Sequence, residues 1–361
     1  MKKYVPKFAR FSFLILLVSS AIYIASRAFT PLADFINGTF SVAVRYLLSS
    51  LTVYLPFSFF EMLIIVSPLL LILTVVLIVK CTHGFVGRMR ALTALLGVIS
   101  LIFTAYIFTL GIGYHTSMVS DMLDIEDKKD ITAQELYYTV NLVVDEINAL
   151  APMMNVDGGE TRMPYSVDEM SARLVTALDT FSDSYGILTN YSSRVKPVYF
   201  STVMSDLQIS GIYSFFTGEA NVNVEYPDYC LPFTAAHELA HQRGICRENE
   251  ANFVAFLVCI GSEDDYIRYS GYLNVYEYLA SALYRADKEL YKSALERLSG
   301  IAIYDMRASD AIYYAHKDSI LGKINDRLND AYLKANGTEG IVSYGYVVRL
   351  AVGYYQKENN K

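Results

Sequence analysis

The sequence predicts a mainly α protein in which three transmembrane helices precede a mostly helical extracytoplasmic domain with a small β element. Three observations carry this reading. Of the 361 residues, 53% are apolar and only 19% charged, the balance of a chain that meets lipid over part of its surface. The charges are divided along the chain: residues 1–113 hold nine Lys and Arg against two acids, a balance of +7. The remainder holds 21 against 35, or −14, and the two give the −7 of the whole. Three apolar stretches, about 9–28, 57–79 and 91–113, each reach the roughly 20 helical residues that a hydrocarbon core requires. We therefore read 1–113 as a transmembrane region and 114–361 as one extracytoplasmic domain of ordinary size.

The composition also excludes several classes. With 30 Tyr and 19 Phe, the chain is too rich in aromatics to be disordered. Four Cys in this length are too few for a disulfide-stapled scaffold. An acidic soluble part gives nucleic acid no basic face to bind. The partner that the composition points to is the lipid bilayer.

The first span follows Lys2, Lys3, Lys7 and Arg10, and no convincing small-x-small cleavage site follows before Arg27. We read it as an uncleaved helix rather than a secretory leader. Glu61 is the only charge within the second span and lies near one end, where it can reach the interface. Lys80, Arg88 and Arg90 fill the loop between spans two and three, whereas 27–56 carries only Arg27 and Arg45 as basic residues. By the positive-inside rule, the amino terminus and the 80–90 loop face the cytoplasm, and the chain beyond His115 lies outside. Segment 27–56 is half apolar and is expected to lie along the interface as an amphipathic helix.

Beyond 114, the periodicity predicts helices over 132–150 and 166–185. Each opens on a capping box, Thr132 with Glu135 and Ser166 with Glu169. Residues 197–200 read as a short extended run, and 215–224 as a strand or hairpin. Further helices are expected over about 234–243, 248–260, 264–291, 310–330 and 342–355.

The sharpest chemical signal is His237-Glu238-Leu239-Ala240-His241. Residues i and i+4 share a helix face, so both imidazoles can grip one ion. Glu238 is then placed to hold a zinc-bound water whose pKa zinc brings to about 7, and to take its proton. Thr234 offers an N-cap, and Gly244 can end the helix in the left-handed conformation. A third ligand is needed, and a second helix starts a turn later with Glu248, Asn249, Glu250, Ala251 and Asn252. Glu248 and Glu250 are the two candidates. They lie about 200° apart around a helix, so a regular helix presents only one of them. We favour Glu248, whose face also carries Asn252 one turn on, where an amide could hold a ligand imidazole.

HELAH followed by ENEANF resembles the gluzincin side of the zincin metallopeptidases, whose third ligand is a helical Glu. Together with the three spans, the outward domain and the late Lys334-Ala335-Asn336-Gly337 and Ser343-Tyr344-Gly345, it resembles an uncharacterised family of bacterial membrane-anchored predicted zinc peptidases. The resemblance implies a zincin-like domain with Zn2+ as cofactor, His237, His241 and Glu248 as ligands, and Glu238 as base. The step from His241 to Glu248 is shorter than in typical gluzincins. Arg247 stands where the metzincin pattern HExxHxxGxxH has its third His, which sets that branch aside.

Peptide hydrolysis also needs a group facing the tetrahedral oxyanion. Tyr344, Tyr313, Tyr314 and His316 are candidates, with Tyr344 preferred. Cys230 and Cys246 flank the HELAH helix and could be bridged, with Cys259 left over; Cys246 could alternatively offer a thiolate. Two other functions compete with a peptidase acting outside the membrane. An intramembrane protease would carry its motif within an apolar span, whereas here Glu225, Asp228, Arg243 and Arg247 surround it. A silent receptor or scaffold with a structural or vestigial zinc site would have no use for Glu238.

Overall fold

The computed structural model describes residues 3–340 and 345–359. It is mainly helical, and it divides into two units: Met1–Thr116 with Ser214–Glu219, and Ser117–Tyr213 with Ala220–Lys361.

In the first unit, the helices Lys7–Ala28, Phe59–Cys81 and Gly84–Thr109 are long and apolar enough to cross a membrane. At 1.5 Å per residue, even the 22-residue first helix reaches about 33 Å, more than a hydrocarbon core of roughly 30 Å. Lys7–Ala28 packs against Gly84–Thr109. The two helices bury small residues, Ala9, Ser12, Ser19 and Ser26 on one and Gly97 and Ser100 on the other, and small side chains are what let membrane helices approach closely. The Ser19 and Thr104 hydroxyls meet at 3.3 Å. Phe59–Cys81 buries no residue at all; it is apolar all round, as suits a helix bathed in lipid.

Segment 27–56 is helical but broken in three: Thr30–Ile36, a π-helical turn Asn37–Ser41, and Val42–Thr52. Arg45, read above as one of the charges of an interfacial segment, is fully buried. Its guanidinium donates to the Asn37 side-chain oxygen at 2.9 Å and to the Asn37 carbonyl at 3.0 Å. The π turn leaves backbone acceptors outside the regular helical ladder, and Arg45 satisfies one of them.

In the second unit, both capping boxes form, opening the helices Ala133–Leu150 and Val167–Tyr185. Their apolar faces join one core with the helices Cys230–Gln242, Glu248–Ile260, Asp265–Ala286 and Val347–Asn359. The β element is a three-stranded sheet ordered Val195–Pro197, Glu219–Val222, Gly211–Ser214. Its first two members run parallel, with Val195 opposite Ala220 and Pro197 opposite Val222. A separate two-stranded ribbon pairs Val156 with Thr161.

Two expected helices are divided. The 264–291 reading becomes Asp265–Ala286 and Lys288–Arg297, split at Asp287. Asp287 takes an extended φ of −157° and accepts the Glu289 and Leu290 N–H groups, so its side chain starts a new helix instead of continuing the old one. The 310–330 reading becomes Gly300–His316 and Ile320–Ala335, and Ser319 caps the second.

Candidate metal centre

The motif helix begins earlier than the sequence indicates. It starts at Cys230, with Pro232 in its first turn and Thr234 already inside it. Pro fits there because the first turn's N–H groups have no partner within the helix. The next free N–H, of Phe233, donates to Ser270 Oγ from the Asp265–Ala286 helix at 3.1 Å. Nearly every side chain of Cys230–Gln242 is buried, so the helix is central and its polar stripe lies within the protein. Gly244 takes a φ of +103° and turns the chain sharply. Glu248–Ile260 then packs back on the motif helix.

That return brings three side chains together. Glu248 Oε2 lies 3.3 Å from His237 Nε2 and 3.5 Å from His241 Nε2, and one ligand atom from each residue falls within 4.8 Å of the others. The two rings stand edge to face, their centroids 4.5 Å apart. His241 Nδ1 is 2.7 Å from the Ile245 carbonyl. As the N–H donor to that oxygen, Nδ1 leaves Nε2 as the ring atom turned toward Glu248. His237 Nδ1 is buried without a hydrogen-bond partner.

The electrostatics follow from this crowding. Burial alone would raise the Glu248 carboxyl, but His241 and His237 outweigh it and hold it well below the usual carboxylate range. Burial works against a charged His241, yet Glu248, and after it Glu238, raise it to about 9. Glu238, 5% exposed, is pushed up by burial, against the pull of both histidines and of the Tyr213 backbone. A cation replacing the proton shared between Glu248 and His241 would meet a charged carboxylate and two nitrogens at one point. Two imidazoles and one carboxylate are a donor set suited to zinc with a further position free for solvent or substrate.

Glu250 faces elsewhere. Its Oε1 accepts the Val119 N–H at 2.7 Å and its Oε2 pairs with Arg247 at 2.9 Å. The two acids thus divide as the helical angle between them requires. Asn252 is buried, and its Nδ2 has no partner. Its side chain meets Tyr278, whose hydroxyl is raised by burial first, then by Glu277 and Glu248; of the two candidate ligand imidazoles, that of His241 is oriented by the Ile245 carbonyl and that of His237 has no partner on Nδ1, so Asn252 holds neither.

Residues 35–352 match the sequence profile of a family described as "Protein of unknown function (DUF3810)". The chain belongs to the DUF3810 family. No curated protein and no solved structure matches it. The DUF3810 match spans the two helices bearing the cluster and two of the three membrane-length helices. Of the oxyanion candidates in this DUF3810 chain, Tyr344 lies outside the described residues. Tyr313 and Tyr314 are exposed on Gly300–His316. His316 is engaged by Asp206 at 2.8 Å and Glu225 at 3.7 Å. Cys230, Cys246 and Cys259 are buried and none is in a disulfide, so the bridge that the sequence allowed between Cys230 and Cys246 is not formed.

Sequence reasoning did not find the strand Gly211–Ser214 over Glu238. Gly211 lies so close to the motif helix that a Cβ there would fall 2.6 Å from Glu238 Oε1 and 2.6 Å from Thr234 Cγ2. Only a residue without a side chain permits this approach. A glycine opening a short strand just before HELAH is a signal of sorts, but one that gains meaning only beside Glu238.

Proposed function

We propose that this chain is a membrane-anchored, zincin-type zinc metallopeptidase that hydrolyses peptide bonds of a peptide or protein substrate on the extracytoplasmic side. The observation that carries the proposal is the convergence of His237, His241 and Glu248 on one point, next to a buried glutamate on the same helix turn. His237 and His241 through Nε2, and Glu248 through its carboxylate, would hold the ion. Zinc, when bound, supplies Lewis acidity toward a peptide carbonyl and lowers the pKa of water. Ile245 fixes the His241 tautomer, so that the ring presents a lone pair without reorganising. Glu238, raised by its burial, is suited to accept a proton from the attacking water and return it to the leaving amine. The outer edge of the sheet, Gly211–Ser214, runs over Glu238 and offers main-chain groups to an extended peptide. The basic tail and the 80–90 loop support a cytoplasmic amino terminus, which puts the cluster outside.

Full-length protein in detergent or nanodiscs tests the proposal by metal analysis and digestion of a peptide library. The expected result is one zinc per chain and cleavage that stops in Glu238→Gln while its zinc remains. A wild-type protein that takes up no zinc, or a Glu238→Gln variant that cleaves as well as wild type, would overturn it.

A further inference from the structure

The strand over Glu238 continues directly into 214–219, the only stretch of the later chain that groups with the membrane unit. Within that unit this turn is held firmly. Glu219 is 1% exposed, and its two carboxylate oxygens accept the Phe59 N–H at 3.0 Å and the Phe60 N–H at 2.7 Å. These are free amides of the first turn of Phe59–Cys81, so a carboxylate there meets unsatisfied donors and the positive end of the helix dipole. The Thr217 carbonyl accepts the Thr52 hydroxyl at 3.3 Å. Phe216 stacks against Phe60 with centroids 5.7 Å apart, and Phe215 against Tyr106 at the same distance. At the other end of the strand, within the second unit, the Tyr213 backbone hydrogen-bonds Glu238, and Gly211 lies against that carboxylate. Each set of contacts lies inside one unit; the covalent chain joins them over a few residues.

We infer that Glu219 is a positioning residue for Glu238, acting through the turn 214–219 and the strand Gly211–Ser214. This rests on the peptidase reading for its consequence in catalysis, though not for the mechanical link. The four-residue turn between Ser214 and Glu219 is closed by the Gly218 N–H on the Ser214 carbonyl at 2.8 Å, and such a turn leaves the strand before it little slack. A catalytic group moved by a fraction of an ångström loses rate before it loses substrate binding.

The test uses the full-length protein in nanodiscs and the variant Glu219→Gln, which keeps the volume but turns one acceptor into a donor facing a helix N–H. Amide exchange of the peptide covering 211–214 should speed up by about tenfold. With zinc content held at the wild-type level, kcat should fall by about five- to tenfold at nearly constant KM, a coupling of ordinary size. Thr52→Val, which removes the hydroxyl that lies 3.3 Å from the Thr217 carbonyl and equally from those of Leu48 and Ser49, should move both readouts in the same direction by less, and it serves if the Gln variant does not accumulate. Unchanged exchange at 211–214 overturns the inference, as does zinc loss with a general fall in stability, which would make Glu219 merely structural. Faster exchange in a protein that cleaves nothing would uphold the link while refuting the peptidase reading.

Discussion

Glu248 and Glu250 stand two residues apart on one helix, and replacing each by Ala should separate metal binding from folding. Glu250 is 3% exposed and serves two partners, the Val119 N–H at 2.7 Å and Arg247 at 2.9 Å. Glu250→Ala leaves the first without its acceptor, a loss of about 1–3 kcal/mol. It also removes one side of a buried ion pair, a loss of about 3–5 kcal/mol. The two are not additive, because one carboxylate supplies both. The Arg247 side chain retains 14% exposure and so some access to water, which puts the whole effect near the lower end, about 3 kcal/mol. For a domain of this size, that lowers Tm by about 6–12 °C. Its metal content should stay at one per folded chain. Glu248→Ala should do the opposite: zinc falls well below one per chain, and the chelator-treated protein melts close to the chelator-treated wild type. Calorimetry with and without chelator, alongside elemental analysis, reads both. A Glu250→Ala protein that melts normally but has lost its zinc, or a Glu248→Ala protein that keeps it, would refute the assignment of the two acids.

Three further outcomes follow from the same site. His241 is raised to about 9 against an ordinary value near 6.5 in the unfolded chain, so the metal-free folded state binds the extra proton. Its stabilisation is complete below pH 6.5 and is lost as pH rises through 9; urea melts of the chelated protein across that window should show falling stability. Zinc must displace the same proton, so its affinity should climb by about tenfold per pH unit up to pH 9 and level off above it, as titration calorimetry would show; a flat profile would exclude His241 as a ligand. Gly211→Ala places a methyl group 2.6 Å from Glu238 Oε1. Zinc should remain, while kcat/KM drops by about a hundredfold, the scale of an ångström-sized displacement of a catalytic group.

Much of this molecule could be read from residue order alone, and the reason is local physics. The membrane-length helices are long apolar runs, and Ala133–Leu150 and Val167–Tyr185 announce themselves by Thr132 with Glu135 and Ser166 with Glu169. The interruptions were harder to read. Asp287 looks like one more polar residue on a helical face, and only its side-chain bonds to the Glu289 and Leu290 amides make it a start rather than a continuation. Arg45 shows the reverse error: a charge counted as solvated flank is spent on the irregular backbone of Asn37, which no periodicity reveals.

The site divides along the same line. Its ligands come from two helices within twelve residues of sequence, so helical angles alone separate Glu248 from Glu250. What surrounds those residues carries no motif. Ile245 holds an imidazole through a carbonyl, a group every residue has. Tyr278 is one of 30 tyrosines. Gly211 matters because of a side chain it lacks. The residues that could hold a metal are thus written in residue type and spacing, whereas those that orient Glu238 are written in backbone and in absence. An altered rate with intact metal is therefore to be sought at positions such as Gly211 and Glu219, where the sequence offers no motif, rather than within HELAH itself.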